Sequence, residues 1–570
     1  NEAMIYKNKL IFQISTTTSW ILIGVLASIV FHYPLILSSF NFYPGDEGDS
    51  RLIAFILEHL YLWVNNKSTF SSPAFFYPST GTLGFSDVQL LHATVYSLIR
   101  DFDVPVLKSF SITIFVLNTC TYIASFCFIR FGMKLNLFPS IIGALIFSFN
   151  SAKLNLINHT QLQPLLLIPL ISWLLILSHD ECNRNKHRIQ ALIYPFLAVG
   201  LYHLQLWTSF YVAWFYTIIL IFGLLVLLIT DTARTYLMKF IKNNLNIITF
   251  ASVIFILFLI PFIDLYLPIL KEHGGRGFHE IDMMLPRPWS YLWMGYENMV
   301  WGWIPKNEFI SLPVWPEHRI GIGLIFSCFA LLSFFWALKG FFKVQRGWLG
   351  LRWKELRAFS IITPKFDTST YFLLIGSLGV LIFFILSLRL NSSLWGIIYS
   401  NIPGSSSVRA VTRYVLIAYF FVGIYVALVL HQIEEKVYSS NLKAVIFIGF
   451  STIIAIFGIV EQTGGTNSFD SIISKKWTNV VVRKIDPNCD SFYLMASPDF
   501  PRPSFAIHID AMMASHLTNT PTINGYSGNL PSNYKLGNPK AKNIKNSLKD
   551  WEASMNIEGN VCIINHEIIN

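Results

Sequence analysis

Charged side chains are scarce in this sequence, and their scarcity decides its class. Asp, Glu, Lys and Arg make up 13% of the 570 residues, whereas hydrophobic residues make up 53% and aromatic residues 16%. Soluble domains carry about 25% charged residues. The composition therefore excludes a mainly soluble protein and predicts a polytopic membrane protein.

The motifs of soluble cofactor chemistry are also missing. The sequence contains no Gly-x-x-x-x-Gly-Lys-Ser/Thr loop, no Gly-x-Gly-x-x-Gly after a strand, no His-Glu-x-x-His and no Cys-x-x-Cys. No repeat with a period of 20–50 residues stands out, which argues against a solenoid. These absences leave nucleotide-based and zinc-based chemistry without support.

Long apolar runs fill the chain up to residue 461. A helix needs about 20 apolar residues to cross a bilayer, and eleven runs meet that criterion. The run from Val88 to Ile99 is too short to span and is predicted to lie on the membrane or to re-enter it. The eleven predicted spans lie near 17–38, 107–130, 136–150, 162–178, 189–206, 208–230, 245–267, 317–338, 370–390, 410–431 and 443–461.

The positive charge indicates topology rather than nucleic-acid binding. The net charge is +10, but Lys and Arg gather in short segments between apolar runs, and cytoplasmic loops carry the excess of these residues. A cytoplasmic N-terminus then places the first loop, the 268–316 loop and the tail after Glu461 outside. The cytoplasmic set comprises Lys7 and Lys9; Arg130 and Lys134; Arg184, Lys186 and Arg188; Arg234, Lys239 and Lys242; the 339–365 segment; and Lys436.

The tail has the only soluble composition in the chain. A membrane domain over 1–461 and a small external α/β domain over 462–570 are predicted, with strands at 480–483, 491–495 and 561–564. Cys489 and Cys562 both lie in this tail. An oxidising compartment permits a disulfide between them, although spacing alone leaves the pairing open.

The first external loop concentrates negative charge. The run 44–49, Pro-Gly-Asp-Glu-Gly-Asp, places three carboxylates within four positions, and such groups at a membrane are costly unless they are solvated, paired or used. Leu52, Ile56, Leu60 and Trp63 follow at helical spacing and predict an interfacial amphipathic helix. The acids either cap this helix or supply a general base at the membrane surface.

An ordered series of short motifs continues beyond this loop, and it resembles a group of bacterial polytopic proteins described as membrane glycosyltransferases of GT-C architecture. The resemblance implies a catalytic base in the first external loop, a donor sugar on a polyprenyl phosphate, and external amphipathic helices around the site. The motifs are 75–78 Phe-Phe-Tyr-Pro, 81–87 Gly-Thr-Leu-Gly-Phe-Ser-Asp, 147–150 Phe-Ser-Phe-Asn, 159–163 His-Thr-Gln-Leu-Gln, 401–404 Asn-Ile-Pro-Gly and 524–528 Asn-Gly-Tyr-Ser-Gly.

The resemblance assigns roles to acidic residues first. Asp46 follows Gly45 and matches the Gly-Asp element of the group, so it is the expected base, with Glu47 and Asp49 as alternates. Many GT-C enzymes place another acidic residue in the second external loop, where this chain has none. His159 and Gln161 occupy that loop and are expected to bind phosphate or sugar.

Basic residues supply the complementary charge. Arg409 and Arg413 lie four apart at the expected outer start of a helix, so they would share a face and clamp a lipid phosphate, or else snorkel to lipid headgroups. In the fourth external loop, His279 and Glu280 are substrate-binding candidates. Together with His273 and Asp282 they offer a divalent metal site as an alternative, but no tight ligand spacing demands one.

The sequence thus predicts an α-helical GT-C-like glycosyltransferase on the external face of a bacterial inner membrane. Its expected partners are a polyprenyl-phosphate sugar, a glycan, lipid or protein acceptor, and membrane lipids, but no nucleic acid. A transporter or flippase of a lipid-linked sugar is one alternative, for which ionisable groups near the bilayer midplane are expected. A membrane-anchored protein for envelope assembly, with the tail as its binding module, is another.

Overall fold

A computed structural model of the chain describes residues 20–184, 188–304, 312–349, 367–437, 449, 453, 456–465 and 467–568. Within these ranges, 8 helices are long and apolar enough to cross a membrane, and two shorter apolar helices, Trp20–Phe31 and Gly323–Lys339, accompany them. Ten of the eleven predicted spans coincide with these helices. The eleventh, near 443–461, falls largely outside the described residues, as do Lys7, Lys9, Lys186 and most of the 339–365 segment.

The apolar helices form one bundle. The most enclosed of them is α6, Leu137–Ser148, which packs against α5, Val106–Cys127, and α17, Val415–Val437, whereas α12, Leu245–His273, lies at the periphery and buries few of its residues. The helices are α1 Trp20–Phe31, α5 Val106–Cys127, α6 Leu137–Ser148, α8 Leu167–Arg184, α9 Arg188–Thr208, α10 Phe210–Leu227, α12 Leu245–His273, α14 Gly323–Leu349, α15 Thr368–Ser387 and α17 Val415–Val437.

Shorter elements connect and cover this bundle. The run from Val88 to Ile99, which was predicted to lie on the membrane or to re-enter it, forms α4, Leu90–Arg100. This helix packs against α3, Asp49–Val64, and against α5 and α9. The remaining helices are α2 Tyr33–Leu37, α3 Asp49–Val64, α4 Leu90–Arg100, α7 Ser151–Asn155, α11 Asp231–Asn243, α13 Phe278–Met283, α16 Trp395–Asn401, α18 at 456–462, α19 Ser471–Val482, α20 Ser504–Thr518 and α21 Ile544–Ser554.

Two small sheets organise the tail. Strand β1, Phe42–Pro44, pairs antiparallel with β2, Ser468–Asp470. Strands β3, Ser491–Met495, and β4, Val561–Asn565, pair in parallel. Because β1 belongs to the first loop, the first sheet ties the tail to the acidic run. The domain boundary at 461/462 stays a prediction.

One predicted strand is wrong. Residues 480–482 end α19 instead of forming a strand, although their β-branched side chains favour extended backbone. The side chain of Asp470 caps this helix by accepting from the Ile472 N–H at 2.7 Å. Ser474, Thr478 and Val481 are buried at helical spacing, so packing overrides the local preference.

The amphipathic interpretation of α3 is also wrong, because the helix is buried on its polar side as well. Every residue from Ser50 to Leu60 is buried. Arg51 donates to Asp510 at 2.8 Å, and Glu58 accepts from Arg100 at 2.8 and 2.9 Å. The tail therefore packs against α3, which was predicted to lie at the membrane surface.

Close helix packing in the bundle depends on a pair of glycines. A Cβ at Gly223 of α10 would lie 1.8 Å from the Ile375 carbonyl oxygen, and one at Gly379 of α15 would lie 1.8 Å from that of Ile219. Neither backbone carbonyl can move aside as a flexible side chain would. Small residues of this kind let membrane helices approach closely.

We predict that Gly223→Leu separates α10 from α15 and lowers the thermal stability of the detergent-purified protein, because the leucine side chain has no space. Overpacking of a core typically costs about 1–3 kcal/mol. The measurement is the melting temperature by size-exclusion fluorescence. Gly200→Ala is the control, since the nearest heavy atom to its added Cβ lies 4.0 Å away; equal losses in both variants would contradict the packing argument.

Candidate active site

The acidic run forms a tight turn between β1 and α3. Gly45 has φ of +91°, and a Cβ there would lie 2.0 Å from Ser50 Oγ, so only glycine fits without strain. The Gly48 N–H donates to Asp46 Oδ1 at 2.9 Å and closes the turn. Asp49 is the first residue of α3, but no side chain caps the helix at Gly48. Capping alone does not explain the three acids.

Each carboxylate of the turn has a different partner. Asp46 Oδ2 accepts from Asn158 Nδ2 at 2.9 Å, Glu47 accepts from Arg502 at 2.6 Å, and Asp49 accepts from the Tyr526 hydroxyl at 2.7 Å. Their environments differ accordingly: Glu47 is neutralised by a cation, whereas Asp46 has only neutral donors. Burial, and then the charge of Asp49, raise the pKa of Asp46.

A chain of charged groups leads inward from Asp49. His159 Nδ1 lies 3.6 Å from Asp49 Oδ2, and His159 Nε2 lies 3.5 Å from Glu317 Oε1. Glu317 in turn accepts two bonds from Arg413, at 2.7 and 3.0 Å. Burial raises the pKa of Glu317, but Arg413 and His159 outweigh it and hold the pKa well below its usual range. Glu317 is therefore an ionised, buried carboxylate.

The two predicted phosphate-binding arginines differ in exposure. Arg413 is buried and bidentate to Glu317, and its guanidinium lies 5.2 Å from the Tyr211 ring centroid. Arg409 is about one third exposed and donates to Glu280 at 3.2 Å. The prediction that they share a helix face is wrong, because α17 and its leading 3-10 turn begin at Val411. Tyr211 brings them together instead, since its hydroxyl accepts from the Arg409 N–H at 2.9 Å.

Sequence reasoning missed Glu317. The predicted span 317–338 included Glu317 as its first residue. In the structure, α14 begins at Gly323, and Glu317 lies in a 3-10 turn before it. The signal was present in the Pro-Glu-His-Arg run at 316–319, whose three ionisable residues make a poor start for a spanning helix. Glu317 thus lies next to His159, although the two residues come from different loops.

Other candidates lie at the margin of this network. Gln161 occupies the same turn as Thr160, with its Oε1 buried and without a hydrogen-bond partner. His279 is exposed. Asp282 accepts from Arg389 at 2.9 Å, so the acids at 280 and 282 are both paired with arginines. In the ranges that the structure describes, no group of three or more His, Cys, Asp or Glu side chains is arranged to hold a metal ion.

The tail holds the acidic turn through a buried charge cluster. Asp510 is fully buried and accepts from Arg51 at 2.8 Å, from His566 at 3.0 Å and from Arg502. Arg502 also binds Glu47 and lies 4.5 Å over the ring of Trp477. One carboxylate on α20 therefore anchors both the helix after the turn, through Arg51, and the turn itself, through Arg502.

A covalent bond closes the same region. Cys489 and Cys562 form a disulfide with their Cα atoms 5.7 Å apart. The bond joins the start of β3 to β4, and His566, which contacts Asp510, follows β4 directly. The structure thus contains the Cys489–Cys562 disulfide that the spacing of the cysteines alone left open.

We predict that Asp510→Asn destabilises the protein by about 3–5 kcal/mol, because it leaves two buried guanidinium groups without their shared anion. The measurement is urea or thermal unfolding in detergent. Lys484→Ala is the matched control: its ion pair with Glu567, at 2.6 Å, lies at the surface of the same segment, where such pairs contribute about 0–1 kcal/mol. A similar loss in both variants would contradict the anchoring role of Asp510.

Comparison with known proteins finds no matching protein-family model and no matching curated protein. Among solved structures, the chain is similar to the oligosaccharyltransferase of Archaeoglobus fulgidus. In its apo form this neighbour has a TM-score of 0.48 at 11% identity, covering 95% of this chain and 68% of its own. The structure of the same enzyme in complex with Zn and sulfate has a TM-score of 0.49 at 12% identity. The match covers 89% of this chain and 62% of the neighbour's chain.

A third structure of that enzyme, AglB with an inhibitory peptide and a dolichol-phosphate, has a TM-score of 0.44 at 14% identity, covering 95% of this chain and 68% of its own. The neighbours are archaeal, so they do not bear on the bacterial attribution. At these identities and TM-scores, nothing about chemistry is transferred from them to this chain.

Proposed function

We propose that this protein is a membrane glycosyltransferase that moves a sugar from a polyprenyl-phosphate donor to an acceptor hydroxyl or amide on the external face of a bacterial inner membrane. The proposal places the N-terminus in the cytoplasm and the tail outside. The observation that carries it is the half-buried carboxylate of Asp46, whose pKa is raised, in the same turn as Asp49, which begins the contacts to His159, Glu317 and Arg413. The partly exposed Arg409 lies next to Arg413 across Tyr211.

Transfer of a sugar requires a base for the incoming nucleophile. An acceptor hydroxyl keeps its proton at neutral pH, so a positioned carboxylate must take the proton as the oxygen bonds to the anomeric carbon. The bond from that carbon to the phosphate oxygen breaks in the same step, and its electron pair stays on the departing lipid phosphate. The site must therefore offer a base on one side and a cation on the other.

Asp46 fits the base better than its neighbours. Glu47 is bonded to Arg502, so its carboxylate is already occupied by a cationic partner. Asp49 accepts from Tyr526 and lies beside His159, so it is suited to holding the network in place. Asp46 has no cationic partner, and a raised pKa brings a carboxylate closer to the operating pH.

Arg409 fits the partner of the leaving phosphate. Its side chain is about one third exposed, and its single bond to Glu280, at 3.2 Å, is longer than the bidentate bonds of Arg413. A phosphate can compete for this guanidinium, since arginine forms strong charge-assisted bonds to phosphate oxygens. Arg413 is already satisfied by Glu317 and positions Glu317 and His159.

We predict that Asp46→Asn lowers the rate of sugar transfer by at least about 10²-fold, the lower range for loss of a general base, while the protein stays folded in the membrane. The measurement is release of polyprenyl phosphate from a panel of labelled polyprenyl-phosphate sugars in proteoliposomes. Asp499→Asn, at an exposed site in the tail, is the control. Loss only in Glu47→Gln or Asp49→Asn would reassign the base, and full activity in all three variants would reject the mechanism.

We also predict that Asp49→Asn keeps activity but moves the acid limb of the pH–rate profile to lower pH. The negative charge of Asp49 raises the pKa of Asp46, so its removal lets Asp46 ionise at lower pH. The measurement is kcat/KM between pH 4.5 and 8. An inactive Asp49→Asn protein that is still folded would identify Asp49 as the base, and a limb that moves to higher pH would contradict the electrostatic coupling.

A further inference from the structure

A cavity lies beside α12, apart from the residues of the proposed active site. Its volume is about 1050 Å³, and no residue of the proposed active site lines it. It is an open cavity bordered by α12, the loop after α3 and the end of the tail. Its walls include Trp63, Phe70, Phe85, Trp207 and Trp551 from three parts of the chain, together with Asp264 and Glu272 of α12, the polar loop 79–81 and the tail segment 531–533.

The aromatic walls of the cavity form a continuous surface. The rings of Trp63 and Phe70 have centroids 4.9 Å apart, and those of Phe70 and Trp207 lie 5.9 Å apart. Tryptophan faces attract cations within about 6 Å of the ring centroid. Such a surface accepts either apolar chains or an ammonium group.

The charges of the cavity favour the ammonium group. Asp264 and Glu272 lie eight positions apart on α12, which places them two turns apart on one face, and no Lys or Arg lines the cavity. Glu272 Oε1 accepts from the Ser532 hydroxyl and from its N–H at 3.2 Å. These donors are neutral, and His273 Nε2 lies 3.9 Å from the same oxygen. Glu272 Oε2 and the carboxylate of Asp264 are the groups offered to a cationic ligand.

The position of α12 indicates that this ligand comes from the membrane. About 20 residues cross the hydrocarbon core, so a span that starts at Leu245 leaves it near Asp264, at the level of the headgroups. Only 6% of the most apolar part of α12 is buried within the protein. A lipid can therefore lie along this helix with its headgroup in the cavity.

We propose that this cavity binds a phospholipid with an ammonium headgroup, of the phosphatidylethanolamine class. The ammonium lies between Asp264 and Glu272 against the aromatic wall, the hydroxyls of Ser71, Ser79 and Thr80 are available to the phosphate, and the acyl chains follow α12. The two carboxylates repel a ligand whose only charge is a phosphate, so this site differs from that of the donor. The inference stands independently of the proposed transfer reaction.

The test measures lipid binding to the delipidated full-length protein by native mass spectrometry. The probes are phosphatidylethanolamine and phosphatidylglycerol with identical acyl chains. We expect phosphatidylethanolamine to bind at least about tenfold more tightly, and Asp264→Asn/Glu272→Gln to remove that preference. Asp103→Asn, at an exposed position of the loop after α4 that does not line the cavity, should keep it.

A second variant protects the test against misfolding. Trp63→Leu changes a partly exposed wall residue and should weaken phosphatidylethanolamine binding several-fold while the melting temperature stays near that of the wild type. Equal binding of the two lipids by the wild type, or an unchanged preference in the folded double variant, would overturn the proposal. Loss of sugar transfer with lipid preference intact would instead bear on the proposed function alone.

Discussion

The buried carboxylate of Asp510 is the group on which the acidic site depends. It neutralises Arg51 from α3 and Arg502 from the tail, both of which are almost completely buried. Burial of such groups is tolerated only when they are paired. Because Arg502 continues to Glu47, the position of the turn that carries Asp46 follows from an ion pair that lies outside the site itself.

The charged residues that surround the acidic turn are of two kinds: some are buried and tightly paired, and others are partly exposed. Glu317 and Arg413 are buried and bidentate, so their geometry is strongly determined. Asp49, Arg409 and Glu280 each keep about a third of their side-chain surface exposed. The buried pair thus orients His159, whereas the exposed groups are the ones a substrate can reach. The partly exposed groups thus carry charge of both signs.

The sequence predicted the helices well because their signal is long. A run of some 20 apolar residues between basic loops has one stable arrangement in a bilayer. Eight of the predicted spans coincide with helices long and apolar enough to cross a membrane, and two more coincide with shorter apolar helices. Predictions failed where tertiary pairing overrides a local pattern. Arg51 and Glu58 marked a polar face on α3 that is in fact buried against Asp510 and Arg100, and the β-branched residues 480–482 end a helix that packs on α20.

The proximity of the candidate residues could be predicted only where a short motif contained them. Asp46, Asp49, His159 and Arg413 lie together, but Asn158, Tyr211 and Glu317 come from neighbouring positions or other loops whose proximity no local pattern encodes. The four-residue spacing of Arg409 and Arg413 also led to a wrong prediction, because it assumed that both lie on one helix. Arg409 in fact precedes the turn that begins at Val411. Contacts between distant segments decide these cases, and a single sequence does not specify them.

The strand pairing of β1 with β2 has a consequence for biosynthesis. Asp49 and its partner Tyr526 are 477 positions apart, and the Glu47–Arg502 bond spans 455. The first loop is therefore made and inserted long before its partners emerge from the ribosome. The acids of the turn therefore acquire these partners only after the tail has been synthesised.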